Sequence, residues 1–205
     1  MSATQGMPRD ALHQEQIIQA AIALLDEGGI ESLSMRRLGS RLGITAAALY
    51  WHVRSRHDLL LLAADTVWAQ TPLPVFDDIE WRPALLAMAE DLRSMLLRHP
   101  WLLAAMTIQP LDGPARDRHE EHLRAVCETS GLSRRDAEQA AGSLVTFAIG
   151  AALAATPGLC VSFGLQSILD GIEARLAARA RPDTAEDPDG HARDLAGSRS
   201  VSRLR

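Results

Sequence analysis

Apolar positions recur at helical spacing along almost the whole chain, without strand-like alternation. After a polar stretch at 1–12, which reads as a flexible arm, Ile17, Ala20, Ala21, Leu24 and Leu25 mark a helix over 13–27. Gly28-Gly29 stops it. Ser34 is placed to cap a second helix, whose inner face is Met35, Leu38 and Leu42 and whose end is Gly43. Thr45 opens a short helix over 45–52. Ser55, with Asp58 three residues on, opens a fourth that carries Leu59, Leu62, Ala63 and Val67 to about Gln70. The Pro-containing segment 71–81 connects this part to five more predicted helices, over 82–98, 100–108, 113–129, 133–156 and 163–180. The expected fold is all-α. Its units are the arm at 1–12, a three-helix unit at 13–56, a larger helical domain at 57–180, and a tail at 181–205 too rich in Asp, Pro, Gly and Ser to order itself.

Composition changes the picture in several places. Lysine and asparagine are absent and alanine and arginine abundant, which reflects codon bias more than function. The net charge of −5 argues against a general nucleic-acid coat, yet no acidic residue occurs from Ser32 to His57, where Arg36, Arg37, Arg41, Arg54 and Arg56 lie. Cys127 and Cys160 stand alone and form neither a disulfide framework nor a zinc signature. The N-terminus has no apolar signal-like region, so the expected location is cytoplasmic. Residues 139–169 lack charge and are long enough to span a bilayer, but Pro157-Gly158 and scattered Gln, Ser and Thr favour two buried helices joined by a turn. No membrane partner is expected.

The segment SMRRLGSRLGITAAALYWH, 34–52, reads as helix, tight turn and short second helix. Ala46, Ala47 and Ala48 would let that helix sit deep in a major groove. Tyr50, His52, Arg54 and Arg56 carry donors suited to phosphate oxygens. Here the run LSMRRLGSRLGITAAALYWHVRSRHDLL resembles the DNA-binding segment of the tetracycline-repressor (TetR) family of bacterial one-component regulators. RHPWL (98–102), LDGP (111–114), GLS (131–133) and FGLQSILDGIEARL (163–176) resemble its regulatory domain. The resemblance implies a base contact from Arg36, base-facing positions at Ala46 and Ala47, and phosphate contacts from Ser34, Tyr50, His52 and Arg56, with Thr45 in the same DNA-facing set. Three alanines supply methyl groups but no hydrogen bonds, so readout would lean on Arg36 and on DNA shape. His13 stands where relatives often have a Ser or Thr cap.

No cofactor or catalytic set is evident, so an enzyme is not expected. His119-Glu120-Glu121-His122 has the wrong spacing for H-E-x-x-H and reads as solvated histidines. Asp77, Asp78 and Glu80 read as a solvated linker. An effector cavity is expected from Met88, Leu92, Met95, Trp101, Met106, Thr146 and Phe147. A two-fold dimer is expected through the last two helices, with Phe147, Gly150, Ala151, Phe163, Leu165, Ile168, Leu169, Ile172 and Leu176. The expected function is regulation of transcription by operator DNA binding, with repression relieved when a small apolar effector tilts the fourth helix. The rival is a helical small-molecule-binding protein or enzyme whose helix-turn-helix is incidental.

Overall fold

A computed structural model describes residues 9–74, 80–154 and 161–180; the side chains of 9–13 and 180 lie outside the description. The arm up to residue 8, the Asp77-Asp78 linker, the Pro157-Gly158 turn, Cys160 and the tail from Arg181 also lie outside the described residues. Among the described residues every regular element is a helix: α1 (Arg9–Ser32), α2 (Met35–Leu42), α3 (Ala46–Leu49), α4 (Arg56–Gln70), α5 (Trp81–Arg98), α6 (Trp101–Ile108), α7 (Pro114–Thr129), α8 (Arg134–Ala154) and α9 (Val161–Ala180).

Local chemistry explains the boundaries. Helix α1 is interrupted at Gly28 and at Gly29, whose φ of 65° lies in the left-handed region. It begins at Arg9, inside the stretch expected to be an arm, so His13 is not its cap. The Ser34, Thr45 and Ser55 hydroxyls accept from the backbone N–H of Arg37 (3.2 Å), Ala48 (3.2 Å) and Asp58 (3.0 Å) and cap α2, α3 and α4. Gly43, at φ 69°, ends α2. Helix α3 is one turn, shorter than the expected 45–52; Tyr50–His52 continue as a turn, with the N–H groups of His52 and Val53 closing onto Leu49 O.

Two apolar clusters hold the fold. The first joins α1, α2, α3 and α4 to α6 and to the ends of α5 and α8, with Leu25, Leu38, Leu49, Leu59, Trp68, Leu96 and Leu102 at its centre. It runs across the boundary expected after residue 56, so the helix-turn-helix is built on the same core as α6. The second lies among α5, α7, α8 and α9. Helix α8 has the length and apolar composition to cross a membrane. Its Ala137, Ala141, Leu144, Ala148 and Ala152 are buried within these clusters.

Candidate nucleic-acid interface and effector cavity

The short α3 and the turn after it form one exposed edge. Ala47 and Tyr50 are exposed and Trp51 is 89% exposed, an aromatic the sequence reading passed over. Arg36, Arg37 and Arg54 are also exposed, and His52 is half-buried. Ser34 and Thr45 use oxygen lone pairs as caps, which leaves each hydroxyl hydrogen able to donate to a phosphate.

Two of the expected contact residues also have roles inside the subunit. Ala46 is half-buried and packs against the first core, because the start of α3 presses on α2 at Gly39. The Arg56 guanidinium donates to Leu33 O (2.7 Å) and Ile30 O (2.6 Å), so its first role is to close the turn between α1 and α2. Both carbonyls follow the break at Gly28-Gly29, and Ile30 O also accepts from the Leu33 N–H (3.2 Å).

Helix α4 is tied along its length to the rest of the protein. His57 Nδ1 lies 2.7 Å from the amide oxygen of Gln109, after α6. Asp65 Oδ1 accepts from the Ala115 N–H (2.7 Å) in the first turn of α7, and Gly113 makes room for it: a Cβ there would lie 2.5 Å from that oxygen. At the far end, His119 Nε2 lies 3.1 Å from both Trp68 O and Thr71 O, and His122 Nε2 lies 2.7 Å from Pro74 O. Carbonyls only accept, so both Nε2 atoms carry the proton. The expected solvated histidines instead hold the end of α4 and the segment after it. A second tie joins α1 to α6, where Asp26 Oδ1 accepts from Trp101 Nε1 (2.8 Å) and His99 Nδ1 (2.8 Å).

Burial holds the His119 pKa below the ordinary imidazole value, against the two carbonyl contacts that favour the charged form. The charges of His122 and Arg118 lower it further. A neutral folded imidazole opposes protonation, so its stability contribution is complete above the unfolded pKa of about 6.5 and is lost as pH falls below that value toward the folded pKa. Thermal melts of the parent should therefore fall more steeply as pH drops below about 6.5 than those of His119→Gln. Equal slopes would show that His119 does not titrate as described.

Beside this junction lies a cavity of about 50 Å³. Its wall includes Trp68, Met88, Leu92, Met106, Arg116, His119, Glu120, Leu123, Leu144, Val145 and Ile149. Met88, Leu92 and Met106 were expected there. Met95 and Trp101 are not in the wall; they are 1% and 2% exposed and belong to the first core. Thr146 is exposed and donates to Gly142 O, and Phe147 packs on α9, where a Cβ on Gly164 would come within 2.3 Å of its ring. Val145 and Ile149 face the cavity instead, one position round the helix from Thr146. Among the described residues, no group of three or more His, Cys, Asp or Glu side chains is placed to hold a metal ion.

The stripe assigned to a dimer divides in two. Leu165, Leu169, Ile172 and Ala151 are buried in the subunit itself. Ile168 and Leu176 are half-buried against the second cluster. Gly150 and Phe163 (72% exposed) remain outward, and Gly142 and Leu153 (63% exposed) on α8 are exposed as well.

A capped helix-turn-helix with a basic and aromatic edge, on a body that among the described residues is all helical and carries a cavity, has the architecture of a helix-turn-helix protein with a separate helical domain. Residues 17–63 match the bacterial regulatory proteins of the tetR family, and 73–159 match the tetracyclin repressor-like C-terminal domain. The chain belongs to the TetR family. It is 38% identical over 146 residues to an HTH-type transcriptional regulator of Saccharopolyspora erythraea, a match covering 71% of this chain and 62% of that relative's length. Its fold is similar to that of BioQ with its double-stranded DNA operator, at a TM-score of 0.67 and 30% identity over 79% of this chain and 98% of that one. It is also similar to ActR of Streptomyces coelicolor in complex with actinorhodin, at 0.69 and 26%, over 79% and 95%.

Proposed function

We propose that the protein is a cytoplasmic homodimeric repressor that binds operator DNA through α2 and α3 and is released by a small, mainly apolar effector. It performs no chemistry of its own. The observation that carries this reading is the unbroken set of contacts from cavity to DNA edge. Trp68 and His119 belong to the cavity wall and meet at the end of α4. Asp65 and His57 hold the middle and start of α4, and Arg56, in its first turn, holds the turn that leads into α2. An effector that prefers one tilt of α4 would move the recognition helices, and a coupling of about 1–3 kcal/mol suffices for a switch. The complexes of BioQ with its operator and of ActR with actinorhodin support both halves of the reading.

Selection of bound sequences from random DNA should return a pseudo-palindrome. On it, Arg36→Ala should cost about 1–3 kcal/mol and relax one position per half-site. Arg56→Ala should lower the melting temperature of the free protein, unlike loss of a simple phosphate contact. Gel shifts and melts check both. Recovery of no enriched sequence, or an Arg36→Ala variant with unchanged affinity and specificity, would sink the assignment.

A further inference from the structure

The indole N–H of Trp68 is a donor without an acceptor. Trp68 is 4% exposed, and its Nε1 is buried with no hydrogen-bond partner. The other unpaired buried nitrogens, on Arg82, Arg93 and Gln109, belong to residues outside the cavity wall. An indole nitrogen only donates, and a buried donor left unpaired is unfavourable. Trp68 borders both this cavity and an open groove beside Pro72 and Leu73, and its Nε1 is covered from each. Of the two, the cavity has the mainly apolar wall that would hold an occupant, and an occupant that shifts the indole would bring an acceptor to Nε1.

The rest of the wall limits what brings that acceptor. Met88, Leu92 and Met106 offer apolar and adaptable surface. The two charged residues, Arg116 and Glu120, neutralise one another at 2.8 Å. His119 is held to the α4 carbonyls through Nε2, and its ring lies 5.3 Å from the Trp68 ring. A volume of about 50 Å³ is only a few water-sized spheres, so an occupant must push the methionines aside and shift Trp68.

We propose that the effector is an uncharged, mainly apolar molecule with a hydrogen-bond-accepting oxygen, and that Trp68 Nε1 donates to that oxygen. This rests on the effector-released reading above and adds to it the group that is recognised. Because Trp68 sits in the last turn of α4, the bond itself acts on the helix that carries the signal.

The test uses acetophenone and ethylbenzene, which share a skeleton and differ by the carbonyl oxygen. The full-length protein is titrated with each and followed by nitrogen–proton correlation of its four tryptophan indoles. Acetophenone should bind more tightly than ethylbenzene by about ten-fold, the worth of one buried hydrogen bond, and should move the Trp68 indole signal downfield. Trp68→Phe keeps an apolar ring and removes the donor, so it should bind the two probes alike. If that variant fails to fold, the parent's signal decides alone, assigned by elimination with Trp51→Phe, Trp81→Phe and Trp101→Phe. Equal binding of the probes by the parent, an unmoved Trp68 signal, or no acetophenone binding up to its solubility limit would overturn the proposal. Operator gel shifts on the same samples separate the two readings. A parent that binds operator but ignores the carbonyl remains a repressor with another recognition group. A parent that binds no DNA loses the repressor reading, whatever the indole shows.

Discussion

Replacing Gly39 with alanine should reduce operator binding to the non-specific level, a loss of roughly a thousand-fold or more. Gly39 lies in the middle of α2 and is buried. A Cβ on it would stand 2.7 Å from Ile44 O, 3.3 Å from Ala46 N and 3.4 Å from Thr45 C. All three are backbone atoms, so no rotamer change relieves the clash. The same backbone carries the bond from Ile44 N–H to Gly39 O (3.0 Å), which sets the approach of α3 to α2. One methyl group must therefore push the two helices apart, at a cost of about 1–3 kcal/mol in stability. Most of the effect falls on DNA, because the position of α3 relative to Arg36 is what an operator reads. Ser40→Ala, on the exposed side of the same helix, is the control and should bind like the parent. Circular dichroism separates a displaced α3 from an unfolded chain. A Gly39→Ala protein that binds operator with parental affinity would show that the α2–α3 contact is not what positions the reader.

The role of Gly39 marks the limit of what the chain's pattern shows. The three caps, the stop at Gly28-Gly29 and the left-handed Gly43 were legible because each depends on residues within four positions of one another. A helical glycine reads only as a weak helix former; that another backbone lies against it is a tertiary fact. Arg56 is similar. Its charge was plain, but its acceptors lie 23 and 26 residues earlier and are main-chain carbonyls that any sequence would carry. His119 and His122 looked solvated because their neighbours are charged, while their partners come from 48 to 51 residues away. Spacing on α8 identified a helix that lines the cavity, with Val145 and Ile149 in its wall where Thr146 and Phe147 were expected. The helix carries no charged residue from Gln139 onward, so no charged stripe fixed its rotation. On α9 the stripe Leu165, Leu169 and Ile172 is as wide as one neighbour needs, and its neighbour is the subunit's own core.

That division of α9 changes which substitutions separate two copies. Glutamate at Ile172, 6% exposed, would disrupt the subunit before it tested any interface. Leu153 and Phe163 are the informative pair, because both are exposed large apolar side chains on the last two helices. Gly142 and Gly150 share the outward face of α8, and a Cβ at either would meet nothing within 4 Å. An open, small-residue helix face flanked by a leucine and a phenylalanine suits close approach of the same two helices from a second copy. Burying one such side chain fully is worth about 1.5–3 kcal/mol, and two-fold symmetry buries each of them twice. Leu153→Glu with Phe163→Glu removes that gain and sets four carboxylates near the axis. The subunit should stay folded, since neither side chain belongs to its core. Sedimentation should show a dimeric parent and a monomeric double variant at micromolar concentration. Each monomer then holds one half-site without its partner, and operator affinity should drop roughly 100- to 10,000-fold. A monomeric parent, or a double variant that still sediments as a dimer, would place the contact between copies elsewhere on the molecule.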